Sequence, residues 1–421
     1  MNFDISVKDR EILREKAKKQ LELSMRPENL ERKAQWYLHN DLKGEKPLVQ
    51  LELGTFAHEI KPQRMSCEGE FARSVESALL SNYLNQEIFD DDRVTPDYFP
   101  MTYDATFRLF DVEVQIEHTK AADGQESVGH HFIPSIGDLE DDYEKLKPSY
   151  FEVDMETTAR KKAAVEEAIG DILPVKIEME CLYSVPTQML VHIMSMENMM
   201  FNMYDYPELF KEMMDRIAQD TNAYYDYLEK NRLIMPTVGH AHLGNGSMCY
   251  TTSLPGEEEF ARRPFTTKDV WGFMDSQETV GISPQMFEEF IFPCYQKISE
   301  RYGLLSYGCC EPVDPIWDSC LSKLHNLRKL SISPWCNEEA MGEKLRGSGI
   351  IYYRKPSPNF LGVSEELDEE ALRAHIRKSL SAARGCHMEF AQRDVYTIHR
   401  NEEKARRYVQ IIREEIQKNW K

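Results

Sequence analysis

Two adjacent cysteines and a glutamate, Cys309-Cys310-Glu311, follow a short apolar run, 303–307, that reads as a strand. A thiolate and a carboxylate at a strand end are donors that Zn2+ accepts in a tetrahedral shell. Adjacent side chains diverge, so one of Cys309 and Cys310 is the expected ligand, with Cys336, His240 and His242 as candidates for the remaining positions. The same cysteines also read as small buried apolar residues, a common state of the free thiol. Acid-base candidates are Glu180 within the third apolar run, Asp275 after the fourth, Tyr307 and Glu311. A carboxyl group raised by burial can hold a proton at neutral pH and deliver it. Glu178 and Glu180 flank Met179, so on a strand both would face one side. Glu52, Tyr353 and Arg354 stand at other strand ends and are expected to meet substrate.

Positioning these residues requires the elements around them. Eight short apolar runs, 47–53, 97–103, 174–182, 269–274, 303–307, 327–333, 350–354 and 386–391, alternate with amphipathic helical stretches. Near-continuous apolar character marks strands buried on both faces. Helices that stop at Gly303, Gly347 and Gly385 fit the left-handed cap that glycine favours. Strand-helix alternation implies parallel strands with right-handed crossovers, and eight units predict a closed (β/α)8 barrel, an α/β fold whose chemistry sits at the C-terminal ends of the strands. The expected organisation is an N-terminal helical extension over 1–45 and a barrel over 46–421. A Gly-, Thr- and Pro-rich stretch at 232–268 is expected to cover the mouth as a lid. Residues 106–117 read as a β-ribbon. The methionines between 189 and 203 read as helix core rather than as a pocket lining.

Bulk properties exclude several classes. The net charge of -21 repels phosphate backbones and anionic lipid, so no nucleic-acid or membrane partner is expected. No apolar run approaches the roughly 18 residues that span a bilayer. The charged stretch Met1–Gln20 does not read as a signal peptide, and nine cysteines without an export signal are expected as thiols or metal ligands. A cytoplasmic location follows as the expectation. There is no P-loop, no Gly-x-Gly-x-x-Gly and no His-Glu-x-x-His.

The second half carries a resemblance. Asp269-Val270-Trp271-Gly272-Phe273-Met274-Asp275-Ser276, then Ile282-Ser283-Pro284-Gln285-Met286-Phe287-Glu288-Glu289-Phe290 and Pro293, resembles the fourth strand and following helix of the uroporphyrinogen decarboxylase superfamily, which also holds the corrinoid-dependent methyltransferases. Leu304 to Cys310 stands where those methyltransferases carry His-x-Cys-Gly at a strand end, and the run from Pro186-Thr187 to Pro207-Glu208-Leu209 is similar to the stretch after the third strand. The resemblance spans roughly residues 45 to 415. Cys309 matches the motif, Tyr307 replaces its histidine, and Arg393-Asp394 stand where a late cysteine is usual. The arginine-rich first-strand loop of the decarboxylases is absent from Leu51 to Phe56. The resemblance therefore implies transfer of a methyl group between a small methylated substrate and a corrinoid, assisted by zinc. The cobalamin-binding signature Asp-x-His-x-x-Gly is missing, so the corrinoid would come on a separate carrier protein. A homodimer is compatible with this reading. The alternatives are decarboxylation of a porphyrinogen-like acid, which would need Arg393, Arg354 and Lys355 at the mouth, and a catalytically silent binding barrel.

Overall fold

Each of the eight apolar runs forms a strand in the computed structural model, which describes residues 3–120, 126–244 and 246–420. They are β1 (Leu48–Leu51), β2 (Phe99–Met101), β7 (Val175–Ile177) with β8 (Leu182–Ser184), β11 (Trp271–Met274), β12 (Leu304–Tyr307), β13 (Leu327–Ile332), β14 (Ile351–Arg354) and β15 (Met388–Gln392). Between them lie two antiparallel ribbons, β3 (Asp104–Arg108) with β6 (Tyr150–Asp154) and β4 (Gln115–Lys120) with β5 (Glu126–Ile133), and a short hairpin of β9 (His242–Leu243) and β10 (Ser247–Met248). The ribbon read at 106–117 is thus divided between two pairings. Every residue of β1, β11, β14 and β15 is buried, as expected of parallel strands covered on both faces.

The ring of strands is not closed by hydrogen bonds. Seven strands form one parallel sheet in the order β1-β15-β14-β13-β12-β11-β8, and β2 pairs only with β7. Two local causes open it. The outer edge of β1 is occupied by side chains: Val49 N–H donates to Asp92 Oδ2 (2.7 Å), Leu51 N–H to Asp91 Oδ2 (2.9 Å), and Asn85 Nδ2 to the Leu51 carbonyl (2.6 Å). The third strand breaks at residues 178–181, so Glu178 and Glu180 lie between β7 and β8 and not on one strand face. Charged side chains resist burial in a two-sided parallel sheet, and the break sits at the pair. A seam therefore runs between β1 and β8.

The 232–268 stretch is a plug at the opposite end of the sheet, not a lid over the mouth. Ser247 Oγ donates to Glu389 Oε1 (2.9 Å) and accepts from Lys329 Nζ (2.6 Å), both fully buried. Burial pushes the Glu389 carboxyl up, but Lys329 and His39 outweigh it and draw it down to about 2. Lys329 and Glu389 lie in the first halves of β13 and β15. Trp271, the first residue of β11, donates its indole N–H to the Cys249 carbonyl (3.0 Å). Asn40, ending the helix Pro27–Asn40, donates to the carbonyls of Met248 and Tyr250. These contacts lie toward the N-terminal strand ends, while the tip of the hairpin at Gly246 reaches the Arg393 side chain. The N-terminal helix Val7–Ser24 packs with Glu70–Leu84 and Met155–Ile169 through a core that includes Leu13, Val75, Leu79 and Val165. Among the described residues no helix is long and apolar enough to cross a membrane.

Candidate active site

At the C-terminal end of β12 the chain turns through Gly308, whose φ of +100° suits glycine. A Cβ there would lie 2.9 Å from the Ser331 side chain. The turn delivers Cys309 into the mouth, and its backbone is pinned on three sides. Its N–H donates to Glu311 Oε2 (2.9 Å), and its carbonyl accepts from Ser331 Oγ (2.8 Å) and Lys355 Nζ (3.1 Å). Glu311 also accepts from the Ser276 N–H (3.1 Å), so one buried carboxylate ties the loop after β12 to the loop after β11. Glu311 is thus a positioning group for Cys309.

A cavity of about 420 Å³ opens here, lined by Cys309, Cys310, Asp275, Lys355, Arg393 and Asp394 with Tyr183 and Trp335 at its side. Cys309 Sγ lies 3.5 Å from Cys310 Sγ and 3.7 Å from Arg393 Nη1. Arg393 is itself held by Glu52 Oε1 (2.8 Å), and the single S–H of Cys310 is shared between Cys309 Sγ and Asp394 Oδ2 (3.0 Å). The hydrogen bond from Cys310, then the charges of Lys355 and Arg393, bring the Cys309 thiol down to about 7 against the opposing effect of burial. Cys310 moves the opposite way and keeps its proton, first because it is the donor to Cys309. Asp275 is 2% exposed, and its Oδ1 has no hydrogen-bond partner among the described residues. Burial first, then Glu311 and Cys309, hold its carboxyl well above the ordinary range, which favours the protonated form. The mouth therefore combines a thiol lowered toward neutrality, a carboxyl group raised toward its protonated form and two cations.

Alkylation by iodoacetamide is expected to follow this assignment. Cys309 should label at a rate that rises with pH to a half-maximum near about 7, because the thiolate is the nucleophile, while Cys310 stays slow throughout. Arg393→Gln should move the midpoint upward. A midpoint at the ordinary thiol value in the unsubstituted protein would refute the assignment.

The other expected site residues are dispersed. Tyr307 is fully buried and bonds Ser276 Oγ (2.6 Å), below the mouth. Tyr353 is buried, with Lys355 Nζ 5.2 Å above its ring. Arg354 points away from the mouth, as the period of two demands of a residue between Tyr353 and Lys355. It pairs with Glu338 (2.9 Å) and donates to the carbonyls of Ile332 and Ser333, so it holds the sheet to a helix. Cys336 Sγ accepts from the Val313 N–H (3.4 Å), and burial raises its thiol. His240, His242 and Glu180 line the seam between β1 and β8.

The zinc ligands expected from sequence therefore do not converge. Cys309, Cys310 and Asp394 form a chain of contacts and not a shell around one point. Among the described residues no group of three or more His, Cys, Asp or Glu side chains is arranged to hold a metal ion. The residues present do not fit the zinc set. Lys355 and Arg393, expected at the mouth only for the decarboxylase alternative, and Asp394, noted only as standing where a late cysteine is usual, are the thiol's actual surroundings. The signal for them was position alone, each standing just past a strand end.

No family model matches the sequence, and no curated protein matches it. Among solved structures, the chain is similar to a methyltransferase from Methanosarcina mazei, with a TM-score of 0.51 at 12% identity, over 91% of this chain and 98% of that one. The likeness is one of fold. It extends over nearly the whole chain.

Proposed function

We propose that this protein is a methyltransferase that moves a methyl group between a small methylated substrate and a corrinoid held by a separate carrier protein. The observation that carries the reading is the meeting, in one cavity, of the Cys309 thiol lowered toward neutrality and Asp275, whose carboxyl is raised toward its protonated form and whose Oδ1 has no hydrogen-bond partner among the described residues. The fold shared with a solved methyltransferase and the motif match at Cys309 support it.

The corrinoid supplies a cobalt centre that takes up or gives the methyl group. The chain supplies the rest. The Cys309 thiolate attacks the methyl carbon, so that an S–C bond forms as the bond from carbon to the leaving heteroatom breaks. The proton of Asp275 passes to that heteroatom, which leaves neutral, and Asp275 becomes a carboxylate. Onward transfer of the methyl group breaks the S–C bond and returns the thiolate. Arg393 and Lys355, which stabilise the thiolate, make it a better leaving group in that second step. Glu311 and Ser331 keep the sulfur in place throughout.

Turnover is tested with cob(I)alamin as acceptor and a panel of methoxylated aromatics, methylamines and methyl thioethers, following loss of cob(I)alamin absorbance. Protein-dependent consumption with at least one donor is the expected result. Consumption with none, together with release of carbon dioxide from uroporphyrinogen, would replace this reading by the decarboxylase one, for which Lys355 and Arg393 supply the cations.

A further inference from the structure

The seam between β1 and β8 holds a second cavity, of about 390 Å³, and its chemistry differs from that of the mouth. Arg93 reaches into it. The stretch that carries Arg93 is fixed by the same residues that open the ring, since Arg93 N–H donates to Asp91 Oδ1 (3.0 Å) while Asp91 Oδ2 serves Leu51 and Asn85. The guanidinium itself has only His242 as hydrogen-bond partner among the described residues. Its Nη2 lies 2.9 and 3.0 Å from the two ring nitrogens. Burial first, then the charge of Arg93, hold His242 well below its ordinary value, so it is a neutral acceptor.

Arg93 forms no ion pair with a carboxylate among the described residues. The nearby acids are engaged elsewhere. Asp91 is bonded to backbone and amide donors, Asp92 to Val49 N–H and Arg413 (2.6 Å), and Glu52 to Arg393. Glu180 also lines the cavity, and burial, then Glu178, raise its carboxyl toward the neutral form. Lys61, another lining residue, donates to the Ser77 carbonyl and hydroxyl and not to an acid. A guanidinium taken from water without a carboxylate is costly, and its planar fork matches a carboxylate's two oxygens. Glu52 and Glu180 line the cavity beside Arg93 and Lys61, yet neither pairs with the Arg93 fork, which is left without an oxyanion at hydrogen-bond distance among the described residues.

Its position relates it to the mouth. Tyr183 lines both cavities, and the Glu52–Arg393 pair stands between them. A Cβ on Gly246 would sit 3.5 Å from the Arg393 side chain, so the plug hairpin also reaches this partition.

We propose that the seam cavity binds the carboxylate of a small methylated acid on Arg93, with the methyl-bearing end extending past Tyr183 toward Cys309. The proposal deepens the methyl-transfer reading and rests on it for the identity of the ligand's other end. It names the substrate class as a carboxylic acid and assigns Arg93 as its anchor, a residue that no strand-end motif marks.

Calorimetry without any corrinoid tests it. The probes are the methoxybenzoates and N,N-dimethylglycine, each paired with its carboxamide. At least one acid should bind about tenfold or more tighter than its amide, and Arg93→Gln should bring the two within about twofold. An unchanged Cys309 alkylation midpoint reports that the variant is folded. Acid and amide bound alike by the unsubstituted protein would overturn the proposal whether or not the variant folds. So would a preference that survives Arg93→Gln. Since the titration needs no methyl transfer, a chain that prefers the acid yet never consumes cob(I)alamin would fail the methyltransferase reading alone and keep the carboxylate site.

Discussion

Cys309→Ala is expected to lower methyl transfer by about 100-fold or more, because it removes the thiol that is lowered to about 7 in the mouth. The loss should appear in kcat, since the sulfur acts on the reacting carbon and not on the remainder of the substrate. Folding should change little. The thiol contributes one contact with Cys310 and one with Arg393, while the backbone bonds to Glu311, Ser331 and Lys355 survive the substitution. A melting temperature within a few degrees of the parent is the expected companion result. Cys310→Ser is the contrasting variant. It keeps a donor beside Cys309 and should retain most of the rate, with a modest rise in the alkylation midpoint. Full activity in Cys309→Ala would reduce Cys309 to a packed thiol and remove the basis of the mechanism.

Asp275→Asn should cost a further large factor, again about 100-fold, the usual range for loss of a positioned proton donor. The substitution keeps the shape and removes the transferable proton. The pH dependence gives the sign. Asp275 is raised by burial and by Glu311 and Cys309, so its protonated form persists above the ordinary carboxyl range and is lost as pH rises through its elevated value. The parent rate should therefore fall on the alkaline side for want of the acid, and rise on the acidic side as Cys309 ionises around about 7. The variant should keep the Cys309 limb and lose the Asp275 limb. It should also be no less stable, because it replaces a buried carboxyl oxygen that has no partner. A rate restored by donors with good leaving groups would locate the defect in protonation. If the rate and both limbs are unchanged in Asp275→Asn, the proton comes from elsewhere.

Much of the scaffold was legible because parallel strands buried on two faces leave continuous apolar runs, and all eight runs are strands. The open ring was not. It depends on Asp91, Asp92 and Asn85 donating or accepting along the edge of β1, and those residues sit in a stretch that reads only as polar loop. Composition likewise marked 232–268 as turn-rich without showing which end of the sheet it meets. That is decided by Ser247 joining Lys329 and Glu389, a contact across more than 80 residues. At the site, Cys309 was readable from its place one residue beyond a strand and a glycine. Cys336, His240 and His242 were grouped with it by donor type alone, and three-dimensional distance separates them. Arg354 was misplaced by one residue of the strand period, where Lys355 is the side chain that faces the mouth.

Methylation of Cys309 itself is the most direct measurement of the account. The purified protein is incubated anaerobically with methylcobalamin, which serves as methyl donor without any need to know the natural substrate. Attack by the Cys309 thiolate would transfer the methyl group to sulfur and release cob(I)alamin, with no external reductant required. Peptide mass spectrometry should then find the increment of one methyl group on Cys309 and not on Cys310. Cob(I)alamin should appear in equal amount, and both signals should vanish in Cys309→Ala. An unmodified Cys309 with no cob(I)alamin released, from protein whose thiol alkylates with a midpoint near about 7, would contradict methyl transfer through this site.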